Sequence, residues 1–257
     1  METLPEDSTA KSLFFRAISN GSTEDVRTLV RLGANINWRE DGEDGLTGLQ
    51  RAVGVRSMVK LKFLLSKGAD VNQVDKEGVT PLMTACFAGE PAMVVRLCQV
   101  PGILLNSQDN QGLTALMFAV NSVQCIEKLR AITGVDWNAV DKEGYSAIMV
   151  AVYLGNVGVV EALLPVSTLD LNIKISGGVS VAHIAVVSNE VNAQRILELL
   201  CKDGRVDWNI PDPEGNRPVL LALEDNKVEM FRTLVRTPGV DTNITNSEGR
   251  SLVQLVM

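Results

Sequence analysis

A chain of 257 residues that is 46% hydrophobic and 21% charged has the composition of an ordinary globular protein. This excludes a disordered, collagen-like or disulfide-stapled chain and leaves one or two domains. With 24 Lys and Arg against 31 Asp and Glu the net charge is -7, the wrong sign for affinity won by neutralising phosphates, so nucleic acid and anionic membrane are disfavoured as partners.

The opening stretch METLPEDSTAKSLFF carries acids where a secretory or mitochondrial leader carries bases, and its apolar run is too short for a signal core. The expectation is a protein kept inside the cell, in the cytoplasm or the nucleus. Residues 1–10 read as a flexible N-terminus and residues 11–257 as one domain. Lys11 to Asn20 and Thr23 to Leu32 predict a first helical pair, with Arg16, Glu24, Asp25, Arg27 and Arg31 as a polar cap. Trp38, one residue past Asn37, is expected to be exposed.

From there the chain repeats itself. DKEG occurs at 75–78 and 141–144, and VDWN at 135–138 and 206–209. Glycines after an acidic turn fall at 45, 78, 112, 144, 178, 215 and 249, spaced by 33, 34, 32, 34, 37 and 34 residues. Asparagines at 37, 72, 106, 138, 172, 209 and 243 keep step, with spacings of 35, 34, 32, 34, 37 and 34. The unit at 75–106 shows the local chemistry. Asp75 to Gly78 is turn material, and Thr80-Pro81 starts a helix with a hydroxyl N-cap and proline at the first helical position. Leu82, Ala85 and Cys86 give that helix an apolar face. Gly89 ends it, and Ala92 to Gln99 predicts a second helix with Val94, Val95, Leu97 and Cys98 inward.

The segments TPLM at 80–83, GANIN at 33–37 and GADVN at 68–72 resemble the ankyrin-repeat pattern, whose period is about 33 residues. The likeness covers nearly the whole chain, with departures at Thr47-Gly48, Thr114-Ala115, Ser146-Ala147, Ser180-Val181 and Arg217-Pro218. The expected fold is all-α: an ankyrin-repeat solenoid of helix-turn-helix repeats with finger-like turns. It has about seven units including the N-terminal pair and a partial C-terminal repeat, at 11–40, 41–74, 75–108, 109–140, 141–174, 175–211, 212–245 and 246–257. Chains below about 40 residues seldom bury a core alone, so each repeat must cover the apolar face of its neighbour. Ala147 to Val166, in which only Asn156 and Glu161 are strongly polar, is nominally long enough to span a bilayer. The Gly155-Asn156 turn in its middle predicts two short buried helices instead. The ending SEGRSLVQLVM leaves Leu252, Val253, Leu255, Val256 and Met257 apolar, which fits either a native capping helix or a segment of a longer protein.

The inventory for chemistry is nearly empty, and no catalytic residue, metal site or cofactor is expected. Cys86, Cys98, Cys125 and Cys201 lie in apolar helical contexts with no C-x-x-C pair, as buried thiols do. The sequons at Asn20 and Asn243 would matter only in a secreted protein. The single histidine, His183, occupies the place of the family's TPLH histidine and is assigned a helix-start hydrogen bond. Asp75, Glu77, Asp141, Glu143, Asp212 and Glu214 recur in one turn per repeat and read as solvated. Trp137 and Trp208 replace the valine of GADVN and are expected to pack at repeat junctions.

The resemblance implies a non-enzymatic scaffold or adaptor that binds a protein partner on the concave surface formed by the turn fingertips and the exposed positions of the first helices. The residues mapped there are Lys76, Val79, Phe87, Leu113, Lys142, Tyr145, Tyr153 and Leu154, with tyrosine a common interface anchor. Against this, Phe87 and Tyr153 could fill gaps between helices. Two alternatives stand beside the scaffold: a sensor of nucleotide-type ligands, weakened by Leu46 and Leu113 at the finger positions, and the targeting part of a larger enzyme. A monomer is expected, or end-to-end contact through the C-terminal half-repeat. Animal members of the family are substrates of an asparaginyl hydroxylase that favours a leucine eight residues before the asparagine and an acid two before it. Asn72, with Leu64 and Asp70, and Asn172, with Leu164 and Asp170, match this pattern.

Overall fold

The structure, a computed structural model, describes residues 8–245 together with 249, 251 and 252. The rest of the expected N-terminal segment and C-terminal half-repeat, including Val253, Leu255, Val256 and Met257, lies outside the described residues. The chain divides into two compact units, residues 1–136 and 137–257.

Unit 1 contains four helical pairs: α1 (Ser8–Ser19) with α2 (Thr23–Arg31), α3 (Gly48–Gly54) with α4 (Met58–Ser66), α5 (Pro81–Phe87) with α6 (Pro91–Cys98), and α7 (Ala115–Phe118) with α8 (Val123–Arg130). A single 3-10 turn, Ala119–Asn121, extends α7. Unit 2 contains three pairs: α9 (Ala147–Tyr153) with α10 (Val157–Leu163), α11 (Val181–Val187) with α12 (Ala193–Asp203), and α13 (Pro218–Glu224) with α14 (Val228–Arg236). In unit 1 the first helices stack in the order α1, α3, α5, α7, and in unit 2 in the order α9, α11, α13. Helices this short are marginal alone, so packing between repeats must hold them. The apolar stretch at 147–166 is two buried helices, α9 and α10, broken at Gly155. Among the described residues no helix is long and apolar enough to cross a membrane.

The N-cap expected at Thr80 is present, and the departures start helices at the same place in the repeat, although Ser146 and Arg217 make no side-chain cap. Thr47, Thr80, Thr114, Ser146, Ser180 and Arg217 each precede a first helix with extended backbone. The hydroxyls of Thr47 and Thr80 accept from the backbone N–H three residues on, at 3.2 Å in both cases. His183 acts as expected: its Nδ1 accepts from Ser180 N–H at 3.1 Å and faces the Ser180 hydroxyl at 3.0 Å. Burial pushes its imidazole below the ordinary 6.5, against backbone groups of Asn216 and Ile210 that favour the proton.

Three expectations are corrected. Trp38 is buried, 4% exposed, because its ring meets Phe14 edge-on at 5.9 Å. In α6, Met93 joins Val94 and Leu97 in the core, while Val95 and Cys98 are half-buried. Of the thiols only Cys86 and Cys125 are buried; Cys98 and Cys201 are half-buried, and all four are free. Desolvation raises each thiol pKa, that of Cys98 to about 11, which suppresses the thiolate. Trp137 and Trp208 are buried as expected.

Candidate partner-binding surface

Four of the fingers are built around an aspartate, while the finger at 175–178 carries Ile175 in its place. Asp75 Oδ1 accepts from the N–H groups of Glu77 (3.0 Å) and Val79 (2.9 Å), and Asp109 Oδ1 from Gln111 and Leu113 (2.8 Å each). Asp141 repeats the pattern on Glu143 (3.1 Å) and Tyr145 (2.8 Å), and Asp212 accepts from Asn216 N–H at 2.7 Å. This corrects the reading of these acids as uniformly solvated. Glu77, Glu143 and Glu214 are exposed, but Asp75 is buried and also accepts from Gln50 Nε2 at 2.7 Å. The finger glycine is required twice over at Gly78: its φ of +79° is left-handed, and a Cβ there would lie 2.9 Å from Asn110 Oδ1.

Consecutive fingers are stitched by backbone. Within unit 1, Lys76 N–H donates to Asp44 C=O at 3.0 Å and Asn110 N–H to Glu77 C=O at 2.8 Å, while Asn110 Nδ2 reaches Lys76 C=O at 2.9 Å. Lys76 is exposed, and its ammonium donates to Gly42 C=O at 2.6 Å. The residue after each finger glycine closes the base of the turn: Val79 and Leu113 are half-buried in unit 1, as is Tyr145 in unit 2. Phe87, at the C-terminal end of α5, is 70% exposed. It stands edge-on to Phe118 of α7, ring centroids 6.2 Å apart.

Phe118 was not anticipated. It sits four residues past its N-cap Thr114, a position that carries Thr84 in the preceding repeat, so repeat comparison pointed elsewhere. In unit 2, Tyr153 is 66% and Leu154 44% exposed at the C-terminal end of α9, and Lys142 is exposed on its finger. Exposures of this size rule out gap filling by Phe87 and Tyr153.

At the other end of each repeat the periodic asparagines bridge consecutive loops. Asn72 Oδ1 accepts from Leu104 N–H (2.9 Å) and Nδ2 donates to Gly102 C=O (2.8 Å). Asn172 does the same with Asp207 N–H (2.7 Å) and Arg205 C=O (3.0 Å). Asn106, Asn138 and Asn209 repeat the pattern. The acid two residues earlier turns the loop: Asp70 accepts from Asn72 N–H and Asp170 from Asn172 N–H. Among the described residues no group of three or more His, Cys, Asp or Glu is gathered as metal ligands would be.

A family model described as ankyrin repeats (3 copies) matches residues 13–109, 60–139, 97–175 and 116–208 in overlapping frames. The chain belongs to the ankyrin-repeat family. Ankyrin repeats generally mediate protein-protein interaction, and the family is generally non-enzymatic. The crystal structure of the ankyrin repeat domain of Bcl-3, described there as a unique member of the IkappaB protein family, is similar with a TM-score of 0.75 and 25% identity. The match covers 87% of this chain and 97% of that one. Human Rabankyrin-5 is 28% identical over 202 residues, 73% of this ankyrin chain but only 17% of the relative. The probable 26S proteasome regulatory subunit p28 of Saccharomyces cerevisiae is 30% identical over 157 residues, covering 59% of this chain and 67% of p28.

Proposed function

We propose that this ankyrin chain is a non-catalytic adaptor that holds a protein partner inside the cell, in the cytoplasm or the nucleus. Partners contact the concave side, where the fingers and the ends of the first helices lie. In unit 1 the contact residues are Lys76, Val79, Leu113 and Phe87; in unit 2 they are Lys142, Tyr145, Tyr153 and Leu154. The observation that carries the reading is the exposure of Phe87 beside Phe118. A phenylalanine left 70% in water forgoes most of the roughly 2 kcal/mol that burial would contribute, and aromatic side chains at such positions are enriched among interface anchors. The names of p28, a regulatory subunit, and of Bcl-3, a member of the IkappaB protein family, support a role exercised by binding.

The test is capture from a lysate of the source cell by the chain and by its Phe87→Ala, Tyr145→Ala, Tyr153→Ala variant, with thermal unfolding matched. Partners lost only in the variant are expected; equal capture by both would sink the assignment. The modification at Asn72 and Asn172 is part of the same proposal: each amide is tied to two backbone groups of the next loop. An asparaginyl hydroxylase must therefore open that loop first, and slow addition of one oxygen per site is expected in intact-mass analysis.

A further inference from the structure

The outer helices of unit 1 carry a second surface of opposite character. Between α2 and α4 lies a cleft of ≈ 460 Å³ lined by Arg27, Val30, Arg31, Phe63, Ser66 and Lys67. Its floor is apolar, made by the half-buried Val30 and Phe63, and its rim is cationic, with Arg27, Arg31 and Lys67 exposed. The Arg27 guanidinium lies over the Phe63 ring, 5.5 Å from the centroid, a geometry that limits its rotamers before any partner arrives.

Little on the two helices offsets this charge. Helix α4, MVKLKFLLS, has no acid. Helix α2 has two: Asp25 is engaged by the N-cap Ser22, and Glu24 lies 3.6 Å from Arg27 and 3.5 Å from Arg31. Those two pairs are exposed, and exposed pairs are weak and readily exchanged. Arg27 and Arg31 thus share one carboxylate and Lys67 adds a third cation to the rim, in a chain whose net charge is -7.

We propose that this cleft docks an acidic segment of a partner protein. Its carboxylates pair with Arg31 and Lys67, and an apolar side chain between them sits on Phe63 and Val30. Arginine suits this use because its planar fork matches a carboxylate through two parallel hydrogen bonds. A recessed apolar floor inside a charged rim accepts a single side chain, whereas a membrane surface asks for a flat face. The overall negative charge also opposes approach to an anionic bilayer. The site shares no residue with the finger-side surface and stands independently of it.

The experiment pans a random dodecapeptide library, displayed on phage, against the full chain. Enriched peptides should carry Asp or Glu on both sides of an apolar residue. They should bind an Arg31→Glu, Lys67→Glu chain roughly tenfold or more weakly and a Phe87→Ala chain with unchanged affinity. Both reversed positions are exposed and leave Arg27 on Phe63, so a matched urea midpoint certifies the fold. Selection of no acidic peptides, or equal binding to the charge-reversed chain, overturns the proposal. Binding to phosphatidylserine vesicles that is lost in the charge-reversed chain overturns it too, because the cleft would then be a lipid site.

Discussion

Replacing Arg205 with alanine should destabilise unit 2 by about 2 to 4 kcal/mol, a size that follows from its contacts. Helix α10 ends at Leu163, and Arg205 ties down the loop that follows it: Nη2 donates to Leu164 C=O at 2.6 Å, and Nη1 donates to Val166 C=O at 2.9 Å and Leu169 C=O at 3.2 Å. The remaining edge of the guanidinium grips Asp203 at 2.7 and 2.9 Å, which holds that carboxyl below its ordinary range. Hydrogen bonds from a charged donor contribute about 1.5–3 kcal/mol each when well shielded. The Arg205 side chain is 34% exposed, so roughly half the lower figure is apt for each carbonyl, giving about 2 kcal/mol, with about 1 kcal/mol more for the pair with Asp203. Equilibrium urea unfolding followed by tryptophan fluorescence reads the loss directly, since Trp137 and Trp208 are both buried in unit 2. The midpoint should fall with an unchanged slope. Arg205→Lys should recover less than half of the loss, because an ammonium cannot span three carbonyls and a carboxylate at once. A loss below about 0.5 kcal/mol in the alanine variant, or full recovery by lysine, would refute the reasoning.

His183 should give the protein a pH dependence in a defined window. Its folded pKa lies below 6.5 because burial disfavours the cation, so the unfolded chain binds the proton first. Stability is then full above pH 6.5 and falls as the pH drops from there through the folded pKa. Urea midpoints at pH 7.5 and 5.5 should differ in the wild-type chain and differ less in His183→Gln. Asn72→Ala removes two loop-to-loop hydrogen bonds and should cost about 1–2 kcal/mol; a thermal scan with no shift would count against the asparagine bridge. Phe87→Ala should change stability by less than about 0.5 kcal/mol, as expected of a largely exposed side chain, while partner affinity measured by titration calorimetry falls at least tenfold if the ring is an anchor. A large stability loss instead would mean that Phe87 packs against Phe118 to hold the fold.

How much was legible without coordinates depended on the range of the interaction. The helix starts at Thr80-Pro81, Ser180-Val181 and Arg217-Pro218 are legible because the signals that make them, a hydroxyl turned onto residues three further on or a proline at the first helical position, are local. The break at Gly155-Asn156 was equally plain, since a left-handed residue ends a helix wherever it falls. The sequence alone makes the finger aspartates solvent-facing, because alternation and charge say nothing of a carboxylate turning back onto its own backbone. The error at Trp38 had a longer reach. Its burial depends on Phe14, 24 residues earlier on helix α1, whereas Trp38 lies in the loop after α2, and no local pattern announces that meeting.

The sequence by itself determined the architecture: seven copies of one register, each with its turn glycine and bridging asparagine, oblige the chain to stack, because no single copy can bury its own apolar face. What only the tertiary structure decided is which equivalent positions meet water. The finger aspartates share one register position, yet Asp75 is buried while Asp109, Asp141 and Asp212 are half-buried. Arg31 of α2 and Lys67, just past α4, line one cleft with Phe63, although 32 and 36 residues separate Arg31 from Phe63 and Lys67. Exposure is a property of the contact between repeats, set by side-chain volumes about 33 residues apart, and periodicity within one repeat carries no record of it.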